Sequence, residues 1–233
     1  MSQPLVSVVV AVKNGARFLA QALDSILAQG YRPLEIIIVD GQSTDDTARI
    51  AQSYPEAHYL PQATLGVANA YNQGIAAAQG EFVAFLSHDD LWLPEKLSSQ
   101  VDYMQAHPEI DYTVTRAEFF VEPGFAFPSH LLREELLEGS RVMRIMETLV
   151  ARRELFDQIG GLDPQFATGE DVDWYARAQD AGVKLGVIDK TLLRKRIHDA
   201  NTSLTTPENT AYLLRALQRS IARKREQTTL TAI

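Results

Sequence analysis

Three runs of this chain are apolar at almost every position: LVSVVVAV from Leu5 to Val12, LEIIIVD from Leu34 to Asp40, and FVAFL from Phe82 to Leu86. A strand with one wet face alternates apolar and polar residues. Runs that are β-branched and apolar on both faces suit the buried middle of a parallel sheet. Between them the period becomes helical. Phe18, Leu19, Ala22, Leu23, Ile26 and Leu27 recur three and four apart before Gly30. Gly66 and Gly80 bracket a helix predicted over Val67 to Ala78, a short helix over Thr47 to Ser53 ends before Pro55, and His58 to Leu60 is a weaker strand. Repeated strand–helix alternation predicts an α/β fold, a mostly parallel central sheet flanked by helices and joined by right-handed crossovers. Asn14 is placed to cap the first helix, and Ser43 with Asp46 resembles a capping box.

Beyond Asp90 the alternation is less regular. Pro94 opens a helix running to about His107, and Asp111 to Val121 reads as a strand. Pro123 to Ser129 is a loop, a strand is expected near Met146 to Val150, and Glu154 to Ile159 is a short helix stopped by Gly160-Gly161. A helix follows over roughly Val172 to Ala181, then two strands, Val183 to Ile188 and Leu192 to Ile197. Asn201 to Pro207 is a loop, Thr210 to Arg225 an Arg-rich helix, and the last residues, TTLTAI, are expected to fray. No compositional break divides the chain. One domain over 1–233 is expected, with a first half (1–92), a second half (93–207) and a C-terminal helix and tail (208–233).

The formal net charge of −8 argues against a nucleic-acid binder, which needs a basic surface to meet phosphates. There is no cysteine, which excludes disulfides, thiolate metal sites and cysteine nucleophiles. No apolar run approaches the roughly 20 residues that span a bilayer. The segment MSQPLVSVVVAV lacks a basic leader and a cleavage site, so a cytoplasmic protein is expected.

In an open α/β sheet, ligands bind beyond the carboxyl ends of the strands. Those ends carry Ala11-Val12-Lys13, Asp40 and the group Ser87-His88-Asp89-Asp90. Adjacent carboxylates repel unless a cation lies between them, and such oxygen ligands suit Mg²⁺ or Mn²⁺ shared with phosphates. The alternative is a solvated turn in which Asp90 caps the next helix. Glu170-Asp171 sits where a helix N-cap would, and a capping carboxylate is one reading of it.

Several segments, in order, resemble the family 2 glycosyltransferases, whose fold is usually called GT-A, the nucleotide-diphospho-sugar transferase fold. VSVVVAVKNGARFLAQALDSILAQ is similar to the family's first strand and helix, and IIIVDGQSTDDT to its VDDGSTDDT segment. GVANAYNQGIAAAQGEFVAFLSHDD resembles the approach to its DxD motif, GGLDPQFATGEDVDWYARAQDAG its acceptor-side "ED" segment, and RKRIHDANTS a late segment that often supplies a histidine. Together they cover about Val6 to Ser203.

The resemblance implies an inverting, metal-dependent transfer of a sugar from a nucleoside diphosphate sugar, with UDP favoured, to a hydroxyl of a glycan, lipid-linked or other acceptor, as in polysaccharide biosynthesis. Asp89 and Asp90 match the acidic end of the DxD motif, with Ser87 in place of its first Asp, and His198 is the late metal or diphosphate ligand. The metal set is then Asp89, Asp90 and His198 around Mn²⁺ or Mg²⁺. Ala11, Val12, Lys13, Asp40, His88 and Asp89 line the nucleotide-sugar site, and Gly41 stands where the family usually has a second Asp that reads uracil. Asp171 is the general base, with Glu170, Asp173 and Trp174 on the acceptor side. Arg194, Lys195 and Arg196 could meet the diphosphate directly.

Two other functions compete: an inactive nucleotide-sugar-binding or scaffolding protein on the same fold, motivated by Ser87 and Gly41, and a sugar-nucleotide nucleotidyltransferase. The second would need a Gly-rich, Arg-containing loop after the first strand, where only Lys13-Asn14-Gly15-Ala16-Arg17 is present. A dehydrogenase is disfavoured because no G-x-G-x-x-G follows that strand. Arg215, Arg219, Arg223, Lys224 and Arg225 along the final helix read either as a solvated face or as a peripheral contact to the anionic inner face of a membrane. A homodimer is the remaining partner expectation.

Overall fold

The computed structural model describes residues 3–129, 133–201 and 209–231. β1 (Val6–Val12), β2 (Leu34–Asp40), β3 (Ala57–Pro61) and β4 (Phe82–Ser87) are parallel, in the order β3-β2-β1-β4. Val12 stands opposite Asp40 and Ala11 opposite Ser87, so the carboxyl ends of three central strands lie level.

Both faces of these strands are covered, as their unbroken apolar runs require. Val6, Val8 and Val10 pack with Leu19, Leu23 and Ile26 of α1 (Leu19–Leu27) and with Leu97, Val101 and Met104 of α4 (Lys96–Ala106). Val9, Val83 and Phe85 point the other way, toward Tyr71 of α3 (Val67–Ala77), Phe156 of α5 (Glu154–Ile159) and Trp174 of α6 (Glu170–Asp180). Each such side chain, fully buried, contributes about 1.5–3 kcal/mol, so the strand ends are held by a stiff core.

The same sheet continues as β4-β8-β6-β9-β5, with β8 (Val150–Arg152) antiparallel to both neighbours and β6 (Tyr112–Val121) parallel to β9 (Leu185–Ile197). β5 (Leu91–Trp92) pairs antiparallel with β9, and β7 (Ser140–Val142) pairs with β6 off this path. The pairing of Leu91 with Arg194 brings the segment after β4 beside a strand a hundred positions later. Two elements differ from expectation here. Leu185–Ile188 and Leu192–Ile197 are parts of one strand, which Val183 and Lys184 precede, because β9 bulges to carry the polar interruption and shifts register against β6 between Thr115 and Ala117. Met146–Thr148 is a 3-10 turn rather than strand, since the Thr148 hydroxyl donates back to the carbonyls of Met143 (2.8 Å) and Ile145 (2.9 Å).

Asn14 does not cap α1, which begins at Leu19. It takes a left-handed conformation (φ 50°), its side-chain Oδ1 accepts from Thr44 N (2.9 Å), and its backbone N–H donates to Ser43 Oγ (2.7 Å). It thus staples the loop after β1 to the loop after β2. Asp45, not Ser43, holds the start of α2 (Thr47–Gln52), accepting from Thr47 N at 3.0 Å.

The last helix, α7 (Asn209–Thr231), continues past Arg225 instead of fraying at TTLTAI, whose final two residues lie outside the described residues, as do 202–208 of the preceding loop. It packs against α6, with Arg215, Arg219 and Arg223 half-buried. Arg215 donates to Gln165 Oε1 (2.6 Å), Arg219 pairs with Asp163, and Arg223 donates to Asp180 (2.8 Å). These three are taken up by the protein's own carboxylates and amides. Among the described residues no helix is long and apolar enough to cross a membrane.

Candidate active site

A cleft of about 570 Å³ opens at the carboxyl ends of β1, β2 and β4. Ala11, Val12 and Lys13 form one wall, Gly41 and Gln62 a second, and Ser87, His88 and Asp89 the floor, with His198 and Ala167 reaching in from the second half. A Cβ at Gly15 would lie 2.5 Å from Val12 Cγ2 and 2.6 Å from His88 Cδ2, so the first loop closes over His88 only with glycine there. Lys13 is exposed on the rim.

The two neighbouring aspartates have different fates. Asp89 faces the cleft. Its Oδ2 lies 3.0 Å from His198 Nε2 and 3.3 Å from Asn201 Nδ2. His198 is held in turn, its backbone N–H donating to Asn201 Oδ1 (2.7 Å) and its Nδ1 accepting from Ala200 N (3.2 Å). Burial opposes the charge on Asp89, but the bond to His198 and the charges of His88 and Lys195 outweigh it and hold the carboxyl well below its ordinary range.

Asp90 is fully buried and does not line the cleft. Lys195 Nζ donates to its Oδ2 (2.8 Å) and Arg196 N to its Oδ1 (2.9 Å). Both oxygens are consumed in tying the turn after β4 to β9, which takes Asp90 out of the expected metal set. The same packing withdraws the basic run from any diphosphate. Lys195 also reaches Glu147 (3.3 Å). Arg196 donates to Asp89 O (2.8 Å) and Gln21 (2.8 Å) and lies over the Phe18 and Phe120 rings. Arg194 pairs with Glu118 at 3.0 Å.

Asp40 is likewise turned from the cleft. It is buried, accepting from Tyr59 Oη (2.7 Å) and from the backbone and hydroxyl of Ser43. Its geometry makes it a clamp on the loop after β2 rather than a wall of the nucleotide site.

Among the described residues, no three His, Asp or Glu side chains converge on one point. Asp89 and His198 nevertheless suit a hard divalent cation of the Mg²⁺ or Mn²⁺ kind: one carboxylate and one imidazole face a cleft large enough for phosphates, and such ions keep most of their shell for phosphate and water.

Asp171 is at the start of α6, three residues beyond Thr168, with its Oδ1 accepting from Val172 N (2.7 Å). Burial, then the Glu147 charge, pushes its pKa up to about 6. Glu170 is pushed to about 8 by burial, Asp171 and Glu147. Asp173 and Trp174 are not at this surface. Asp173 is buried with Arg177 (2.8 Å), and Trp174 is fully buried, stacked on Phe156 and donating to Gly160 O (3.2 Å). Asp173, two positions on, projects from another side of α6 than Asp171, whereas Trp174 shares the Asp171 side but is spent in the core.

Glu147 is the residue that sequence reading passes over. It lies in the 3-10 turn, nearly buried, and accepts from Ser87 Oγ and Lys195 Nζ. It therefore lies behind the floor of the cleft, and its charge acts on the carboxylates of α6. The only signal was one acid in the apolar run Met146 to Val150.

Residues 7–166 match the family described as Glycosyl transferase family 2. An uncharacterised glycosyltransferase of Rickettsia typhi is 32% identical over 214 residues, covering 87% of this chain and 67% of that protein. One from Nostoc is 30% identical over 231 residues, covering 88% and 69%. Of solved structures, Staphylococcus aureus TarS residues 1–349 in complex with UDP-GlcNAc superposes with TM-score 0.74 at 20% identity, over 94% of this chain and 66% of that one. The mannosyltransferase PcManGT of Pyrobaculum calidifontis, in complex with GDP-Man and Mn²⁺, gives 0.64 at 22%, over 86% and 59%. The chain belongs to glycosyl transferase family 2 and is a glycosyltransferase of the GT-A fold. It spans about two thirds of the length of these relatives, and about a third of a Rickettsia conorii one.

Proposed function

We propose that the chain is an inverting glycosyltransferase that binds a nucleoside diphosphate sugar, UDP-linked by preference, in the cleft and uses Asp171 to deprotonate an acceptor hydroxyl. The observation that carries the reading is the pairing of a diphosphate-sized cleft floored by Asp89 and His198 with a carboxylate of raised pKa on α6. A divalent cation held by Asp89 and His198 would neutralise the charge that grows on the departing diphosphate.

The residues of the chain supply the rest. Lys13, exposed on the rim, adds a cation beside the phosphates. Asp171, with a pKa near 6, is ionised at neutral pH yet basic enough to take a proton as the hydroxyl attacks. Glu170, with a pKa near 8, stays protonated beside it, so the two do not repel in the working state. Attack from the α6 side, opposite the diphosphate, inverts the anomeric centre.

The test is Asp171→Asn. Loss of a general base is expected to cut kcat/KM by about 10²–10⁴, with nucleotide affinity unchanged. Activity equal to the parent protein would remove Asp171 from the chemistry.

A further inference from the structure

With Asp40 turned inward and no carboxylate at Gly41, the far wall of the cleft holds one polar side chain whose hydrogen bonding is incomplete. Gln62 follows β3 and is 4% exposed. Its Nε2 donates to Thr64 O and to Gly66 O, both at 2.6 Å. Both amide protons are thereby spent, and a flipped amide would set its oxygen against two carbonyls. Its backbone is also fixed, with Gln62 N donating to Asp40 O at 2.8 Å. The orientation of the side chain is over-determined.

Oε1 receives no hydrogen bond from any described residue. It projects over Gly41, where an added Cβ would lie 3.1 Å from it, and both residues line the cleft. Any side chain at position 41 would crowd this oxygen. The wall therefore offers a fixed atom that accepts and cannot donate, between the backbone of Val12 and the open cleft.

We propose that Gln62 is the specificity-determining residue for the nucleobase, accepting at Oε1 the ring N–H of an imino base. This rests on the reading of the cleft as a nucleoside diphosphate site. Uracil N3–H and guanine N1–H supply such a proton. Cytosine and adenine carry a lone pair at the corresponding ring nitrogen, which would face the oxygen's own lone pairs. The substrate class is thus a uridine or guanosine diphosphate donor rather than a cytidine or adenosine one. An unmet acceptor at a buried wall discriminates strongly, because the wrong partner leaves it desolvated and unpaired.

The experiment uses calorimetric titration of the whole chain with UDP, GDP, CDP and ADP in the presence of Mn²⁺, then with the ring-methylated form of the tighter binder, N3-methyl-UDP or N1-methyl-GDP. Methylation is expected to weaken binding by about tenfold to a hundredfold. In Gln62→Met, which removes the acceptor at similar volume, that difference is expected to shrink to threefold or less. Because Gln62→Met also frees two carbonyls, its melting temperature is followed, and the comparison is made only where the variant melts as a folded protein. Equal affinity of the parent protein for a base and its methylated form would overturn the proposal, as would preferred binding of CDP or ADP, or undiminished discrimination in Gln62→Met. Failure of all four nucleotides to bind would instead reject the nucleotide site itself.

Discussion

The two walls of the cleft are built in different ways. The wall from β1, β2 and β4 comes from contiguous strand–loop segments within the first ninety positions, and its shape follows from local sequence: apolar run, polar stop, glycine turn. The opposite wall comes from the second half, Ala167 and His198 to Ala200, and behind it stands a frame of distant pieces, with β5 laid against β9 and the Met146 turn set beneath Ser87. Adjacent residues show the consequence. Asp89 belongs to the first wall and faces the cleft, whereas Asp90 is captured by the frame behind and becomes a buried anchor. Chemical type did not separate them; long-range strand pairing did.

If that contrast holds, the largest stability effect lies at Asp90, outside the chemistry. Asp90→Ala leaves the half-buried Lys195 ammonium beside Glu147 without its nearest partner. Burial works against that charge, but Asp90, Glu147 and Asp89 together keep the Lys195 pKa well above its ordinary value. Removing one member of a buried pair costs about 3–5 kcal/mol, readable by urea unfolding. A cost under 1 kcal/mol would place Asp90 with solvated aspartates and erase the distinction.

A smaller effect is expected at Glu147. The acid limb of kcat/KM should follow Asp171 near pH 6, with activity rising as pH rises through it, because the base must be ionised. Glu147→Gln removes a negative charge that holds this pKa up, so the limb should move to lower pH. A limb that stays in place, in a pH profile measured with saturating donor, would detach Glu147 from the α6 carboxylates.

The smallest expected effect is at Glu170. Its folded pKa, about 8, exceeds its ordinary 4.5, so its contribution to stability is full below about pH 4.5 and is lost as pH rises through 8. Glu170→Gln should flatten the fall in melting temperature between pH 5 and pH 8.5, followed by scanning calorimetry. An unchanged slope would show that Glu170 titrates normally.

The same contrast explains what could be read in advance. The four parallel strands, α1, α3 and α5 follow period and punctuation, which act within a few residues. The cleft-facing positions Lys13, His88, Asp89 and His198 were also legible, because strand ends and the order of motifs locate them. The sequence could not separate Asp89 from Asp90, turn Asp40 toward Tyr59, or send Trp174 into the core, since each depends on which neighbour folding brings alongside. Glu147 and Gln62 carry no motif. Their importance comes from what their side chains accept or leave unmet, and that exists only after packing.

The most direct test of the two-wall site is calorimetric binding of UDP and GDP, with and without Mn²⁺, to the parent protein, Asp89→Asn and Asp90→Asn. Binding that needs Mn²⁺, weakens at least about tenfold in Asp89→Asn, and survives in whatever fraction of Asp90→Asn folds is the expected result. Metal-dependent binding retained in Asp89→Asn and lost from folded Asp90→Asn would contradict it.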